Sequence, residues 1–100
     1  MRIFLVGFMG AGKSVVGRRL AKSFNLSFYD LDEEIESHYK MSVSAIFQKY
    51  DEACFRKLET SVLESFSNKD NFVLSCGGGT PCFSENMAFM NSIGTTIYIK

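Results

Sequence analysis

One hundred residues, 46% of them hydrophobic, make one domain's worth of chain with enough apolar material for a core. Eleven basic and eleven acidic residues cancel to a formal net charge of zero, which excludes a global field that would draw the chain to nucleic acid or a membrane surface. The cysteines Cys54, Cys76 and Cys82 are odd in number and match no zinc or redox spacing, so they read as reduced thiols of a cytosolic protein.

The chain opens with a strand. Ile3, Phe4, Leu5 and Val6 are a short apolar run, too brief for a helix. Arg2 and this run loosely mimic a signal peptide, but the apolar stretch is short, and cleavage after it would destroy the motif that follows. No stretch approaches the length of a membrane span. Residues 7–14, Gly-Phe-Met-Gly-Ala-Gly-Lys-Ser, match G-x-x-x-x-G-K-[ST] at every fixed position. A loop wrapped around a polyphosphate turns its amides inward, and Gly7, Gly10 and Gly12 give that backbone its freedom, with Ala11 adding little bulk. Lys13 can reach the β- and γ-phosphates, and the Ser14 hydroxyl can ligate Mg²⁺. Val15, Val16, Leu20, Ala21 and Phe24 read as the apolar side of the next helix, whose N-terminus faces the same phosphates. A plain strand-to-helix turn is the weaker alternative.

Asn25 marks the end of that helix, and residues 26–31 read as a second strand. Asp30 and Asp32, two apart, would lie on one side of a strand at the rim where the phosphate loop opens. Phosphoryl transfer needs one carboxylate near the metal and one to orient or deprotonate the attacking hydroxyl. Alternatively Asp30 caps a helix running to about residue 40, with Glu33 completing a capping box. Val43, Ile46, Phe47 and Tyr50 form a helical stripe with Ser42 as its cap. Phe55, Leu58, Val62, Leu63 and Phe66 continue in a further helix from about residue 52. On it, Arg56 and Glu59 are either a solvated ion pair or a guanidinium held for a substrate carboxylate, and local spacing favours the former. Residues 72–76 form a third strand, stopped by Gly77, Gly78 and Gly79. Three glycines suit a close approach by substrate or backbone as well as a simple turn. A short helix over 84–91 with Ser84 as its cap and a β-branched strand over 95–99 complete the chain. Cys76 reads as a small hydrophobe, and His38 and Lys57 as surface. Strands alternating with helices predict a parallel α/β sheet with ligands at the carboxyl ends of its strands.

Taken in order, the phosphate loop at 7–14, Phe-Tyr-Asp-Leu-Asp-Glu-Glu-Ile-Glu at 28–36, Ile-Phe at 46–47, Phe-Arg-Lys-Leu-Glu at 55–59 and Gly-Gly-Gly at 77–79 resemble the shikimate kinases, P-loop enzymes of the pathway to chorismate and the aromatic amino acids. The resemblance covers the chain from Ile3 onward. It implies a nucleoside-kinase-like three-layer α/β/α fold with strand order two-three-one-four. It also implies Mg²⁺-dependent phosphorylation of the shikimate 3-hydroxyl by ATP. Gly10, Ala11, Gly12, Lys13, Ser14 and Val15 would hold the ATP phosphates, with Ser14 on Mg²⁺ and Asp30 near it through water. Lys13 and Asp32 would be catalytic, Asp32 contacting shikimate hydroxyls and orienting or deprotonating the attacking one. Arg56 would bind the shikimate carboxylate with Glu59 orienting it, and Gly78 and Gly79 would let backbone approach the ring. ATP and shikimate are the expected partners of a cytoplasmic monomer.

No acidic residue stands at the end of the third strand, where Ser75 and Cys76 are; the family shares that lack, and Asp30 would assume part of the duty. The family pattern runs on beyond residue 100 through a lid with its catalytic arginine, a second substrate arginine, the adenine segment and a last strand and helix. The expectation is therefore a single P-loop kinase domain over 1–100, truncated before its lid and last strand and inactive or very weak alone. Rival readings are a gluconate kinase-like enzyme and a non-catalytic nucleotide-binding fragment. A further concern is that an uncovered sheet would not fold stably by itself.

Overall fold

The structure, a computed structural model, describes residues 1–7, 12–77, 80 and 85–99. Strand β1 (Arg2–Gly7) leads to helix α1 (Lys13–Phe24), β2 (Ser27–Asp30), α2 (Leu31–Tyr39), α3 (Val43–Lys49) and α4 (Glu52–Ser65). A 3₁₀ turn (Phe66–Asn68), β3 (Phe72–Ser75), α5 (Asn86–Ile93) and β4 (Thr95–Ile99) follow. All strand pairs are parallel, in the order β2-β3-β1-β4 that the resemblance implies.

The apolar run of β1 is continuous because both faces of that inner strand are covered, whereas the edge strand β4 stays largely open, with Ile97 and Tyr98 exposed. Side chains alternate across a strand, so Phe4 and Val6 join Phe72, Leu74, Leu31, Ile35, Leu63 and Met90 on the face bearing α2, α4 and α5. Ile3, Leu5 and Val73 meet Ala21 of α1 on the other. The result is three layers, α/β/α. Phe72 holds the larger core together, its ring meeting those of Phe4 at 5.5 Å and Phe66 at 5.2 Å edge-on.

Local signals explain most element ends. Asn25 closes α1 in the left-handed region at φ 57°, which asparagine tolerates better than most residues. Ser42 starts α3 by accepting from the Ala45 amide at 3.1 Å, as expected of a cap. Asp51 does the same for α4 through the Cys54 amide at 2.8 Å. The second and third strands are slightly shorter than the sequence predicts, and α5 begins at Asn86 rather than 84. Its N-cap, Glu85, makes no capping side-chain bond, and Ser84, the expected cap, lies outside the described residues.

The buried face of α1 also differs from expectation. Val15 and Phe24 are 56% and 54% exposed and Val16 is exposed too, whereas Gly17 and Ala21 are buried. The smallest residues face the sheet because they permit the closest approach: a Cβ on Gly17 would stand 2.5 Å from Phe28 Cε1 and 3.1 Å from Leu5 Cδ1. Gly17→Val should therefore destabilise the fold by about 1–3 kcal/mol through overpacking, despite valine's better helix propensity. Urea unfolding measures it, and an unchanged midpoint would mean that Phe28 moves aside freely.

Candidate active site

Parallel strands deliver their carboxyl ends to one edge of the sheet, and the residues with chemistry cluster there. Gly7 ends β1 at φ 152°, and a Cβ on it would run into the Ile99 carbonyl of the neighbouring β4. Only glycine allows the chain to leave the strand so close to that backbone. The loop rejoins the described chain at Gly12, which enters α1 in the left-handed region at φ 78°. Gly10 and Ala11, expected on the phosphates, lie outside the described residues, as do Gly78 and Gly79. The first α-helical bond is donated by Val16 to the Gly12 carbonyl at 3.0 Å. The amides of Ser14 and Val15 consequently point out of the helix end, where the helix dipole favours an anion. Lys13 Nζ donates to the Gly7 carbonyl at 2.9 Å, which holds the ammonium against the base of the loop. Ser14 beside it is half-buried.

Asp30 and Asp32 do not share a strand. Asp30 ends β2 and caps α2, its Oδ1 accepting from the Glu33 amide at 3.2 Å, so the capping alternative is realised. Asp32 stands in the first turn of α2 instead. A carboxylate that close to a helix start is better used as a cap than as a further strand residue. The two remain neighbours. Asp32 is lifted above the usual carboxylate pKa first by burial, then by the negative charges of Asp30, Glu59 and Glu36, with Arg56 pulling the other way. The residue as a whole is nonetheless exposed. A carboxylate made more basic in this way suits proton acceptance.

The same shift has a consequence for stability. Below the usual value of 3.8 the carboxyl is protonated in both folded and unfolded chains, so the fold bears no penalty. Above the folded pKa it bears the whole penalty. Asp32→Asn should make the fold more stable at pH 7, with a gain that disappears as the solution is acidified. Unfolding curves at both pH values test this, and a variant less stable at pH 7 would show that Asp32 makes bonds that outweigh the repulsion.

Arg56 and Glu59 are not the solvated pair that their spacing suggests. The Arg56 side chain is 19% exposed and its Nη1 donates to Glu59 Oε1 at 2.8 Å. Glu59 is buried, and its other oxygen, Oε2, accepts from the Thr80 hydroxyl at 2.8 Å. Asn86 Nδ2 donates to the Thr80 carbonyl at 2.9 Å, and Asn86 Oδ1 accepts from the Thr60 hydroxyl at 3.0 Å. The rim partner of Arg56 is Glu52, at 3.8 Å. Sequence reasoning missed Thr60, Thr80 and Asn86. The one available signal was the position of Thr80 directly after the three glycines.

Cys76, one residue beyond β3, is buried, and its thiol is pushed far up, above all by burial. Glu59, Asp30 and Asp32 add to that and Lys13 opposes it, so all four charges act on the thiol at the end of β3, one of the two inner strands. Ser75 and Cys76 are both buried, with no carboxylate between them. His38 and Lys57 are exposed. Among the described residues, no three His, Cys, Asp or Glu side chains gather to hold a metal by themselves. Among them, too, no helix is long and apolar enough to cross a membrane.

Comparison with known proteins gives a consistent result. The family model described as Shikimate kinase matches residues 9–100. The shikimate kinase of Parabacteroides distasonis is 50% identical over 99 residues, covering 99% of this chain and 57% of its own length. The chain thus spans little more than half of that relative. The crystal structure of shikimate kinase from Bacteroides thetaiotaomicron superposes with a TM-score of 0.96 at 44% identity, over 100% of this chain and 57% of that one. The structure of shikimate kinase from Acinetobacter baumannii in complex with shikimate aligns with a TM-score of 0.93 at 40% identity, over 98% and 55%.

Proposed function

The chain belongs to the shikimate kinase family, and from that premise we propose that the protein carrying it transfers the γ-phosphoryl group of ATP to the 3-hydroxyl of shikimate, giving ADP and shikimate 3-phosphate. The observation that carries the reading is the convergence of Lys13, Asp30, Asp32 and the Arg56–Glu59 pair on one end of the sheet. A phosphate site, a basic carboxylate and an oriented guanidinium are what an anionic, hydroxylated acceptor requires.

In this reading Lys13 and the amides of Gly10, Ala11, Gly12, Ser14 and Val15 hold the phosphates, with Ser14 and Val15 at the start of α1. Asp32 accepts the proton of the attacking hydroxyl, and its raised basicity supports that role. Arg56 takes the shikimate carboxylate in a two-pronged grip, and Glu59 fixes the plane of its guanidinium. The backbone at Gly78 and Gly79 borders the ring. The Ser14 hydroxyl, and through water the Asp30 oxygen not used in capping, are hard oxygen donors that would hold Mg²⁺, which would supply neutralisation of phosphate charge. Catalysis rests on positioning and charge stabilisation, without covalent chemistry on the protein. The 100 residues belong to a single P-loop kinase domain, in a protein acting as a cytoplasmic monomer.

The test is shikimate-dependent ADP release with Mg²⁺ and ATP, comparing the natural protein isolated from its source with these 100 residues. Release by the natural protein is expected, with little from the 100 residues. Gluconate-dependent release instead would favour the rival kinase, and release with neither would leave a nucleotide-binding module.

A further inference from the structure

We propose that Thr80 and Asn86 are positioning residues for the substrate arginine, locking the Arg56–Glu59 pair of α4 to the segment that follows β3. The inference rests on the reading of Arg56 as the ligand of the substrate carboxylate, and it assigns work to two residues outside the family motifs described above.

The hydrogen bonds form a closed circuit. Glu59 gives one carboxylate oxygen to Arg56 and the other to Thr80. With both oxygens engaged, the carboxylate cannot rotate, and the guanidinium it faces keeps one orientation. Thr80 is itself fixed twice: its amide donates to the Gly77 carbonyl at 3.2 Å, and its own carbonyl accepts from Asn86. Asn86 opens α5 and returns to α4 by accepting from Thr60, the residue directly after Glu59. The circuit runs from α4 to the post-β3 segment, to α5 and back to α4. Thr80 is 0% exposed, and Glu59 and Asn86 are 1% exposed. In such surroundings a satisfied polar network is stiff, and a missing member is costly.

A circuit of this kind fixes the part of α4 that carries Arg56 against Thr80 and the start of α5. Loosening it should leave the phosphate end of the site intact, because its bonds join α4, Thr80 and α5 and none of them is made by α1. The effect should therefore fall on one substrate only.

The experiment uses the natural, full-length protein. Thr80→Val removes the hydroxyl at nearly constant shape and should raise the KM for shikimate about tenfold, the size expected for losing a bond to a charged group. The KM for ATP and kcat should stay within about twofold. Thr80→Ser, which restores the hydroxyl, should return the shikimate KM to near the natural value. A residue that only stabilises the fold would lower the melting temperature without separating the two KM values. If Thr80→Val fails to fold, Thr60→Val decides: a twofold to threefold rise in shikimate KM alone is expected, and no change overturns the proposal. Arg56→Lys, measured alongside, keeps the charge but loses the planar fork. If Arg56→Lys raises the shikimate KM and Thr80→Val does not, the circuit has no positioning role. If Arg56→Lys leaves it unchanged, the role of Arg56 falls and this inference falls with it.

Discussion

Lys13→Ala should lower kcat/KM for ATP by roughly 100- to 1,000-fold in the natural protein, the loss typical when one preorganised donor is removed from developing charge. Lys13 is the first residue of α1, at the entrance to the helix end where the amides of Ser14 and Val15 emerge. Its ammonium is held on the Gly7 carbonyl, so the charge is fixed in place before any phosphate arrives. Fixed charge is what distinguishes a catalytic cation from a surface one, since no reorganisation is needed during the reaction. Most of the loss should appear in kcat, because charge on the transferring oxygens differs between ground and transition states. The fold should be little affected, as the side chain is only half-buried. Steady-state kinetics with ATP varied at saturating shikimate make the measurement. A loss smaller than tenfold, with kcat unchanged, would remove Lys13 from the chemistry.

Glu59→Ala should have the largest effect on stability, about 3–5 kcal/mol. The substitution leaves the mostly buried Arg56 guanidinium only its distant rim partner Glu52, strands the buried Thr80 hydroxyl and opens a void where the carboxylate stood. Domains of this size hold only about 5–15 kcal/mol in total, so the melting temperature of the natural protein should fall by roughly 10 °C. Glu59→Gln separates charge from shape. Its amide oxygen can still accept from Arg56, while its NH₂ can donate to a Thr80 hydroxyl that now accepts. Gln should therefore retain much of what Ala loses. If Ala melts within 2 °C of the natural protein, water has entered and satisfied both stranded groups, and the pair is less dry than its burial indicates.

These two residues mark the range of what the sequence revealed. The strand ending at Gly7 and the helix starting at Lys13 were legible because strand, glycines, lysine and serine in that order have few other uses. Asn25, Ser42 and the span of β4 were legible for a similar reason, as each is a local signal with a local cause. Glu59 was not. An arginine and a glutamate three apart on a helix look the same whether the helix faces water or a core, and only tertiary packing decides. The buried face of α1 was hidden by the opposite error: Val15, Val16 and Phe24 are more apolar than Gly17, but a helix laid on a sheet selects for closeness first. Asp30 and Asp32 were read as sharing one side of a strand because alternation was carried past Asp30, which itself caps the helix beginning at Leu31. For Arg56, Gly78 and Gly79 the residues offered the proposed substrate roles only as alternatives, and the resemblance alone favoured them.

Asp30 leaves a last consequence, one of inheritance. One of its oxygens starts α2; if the other faces the metal as proposed, two selective pressures act on a single codon. Asparagine would keep the cap and give up the charge, whereas glutamate would keep the charge and misplace the cap. A lineage under pressure to become more stable, or to change its metal preference, cannot alter one property at this position without disturbing the other. Adaptation of either kind should accumulate elsewhere in the chain and leave position 30 as it is.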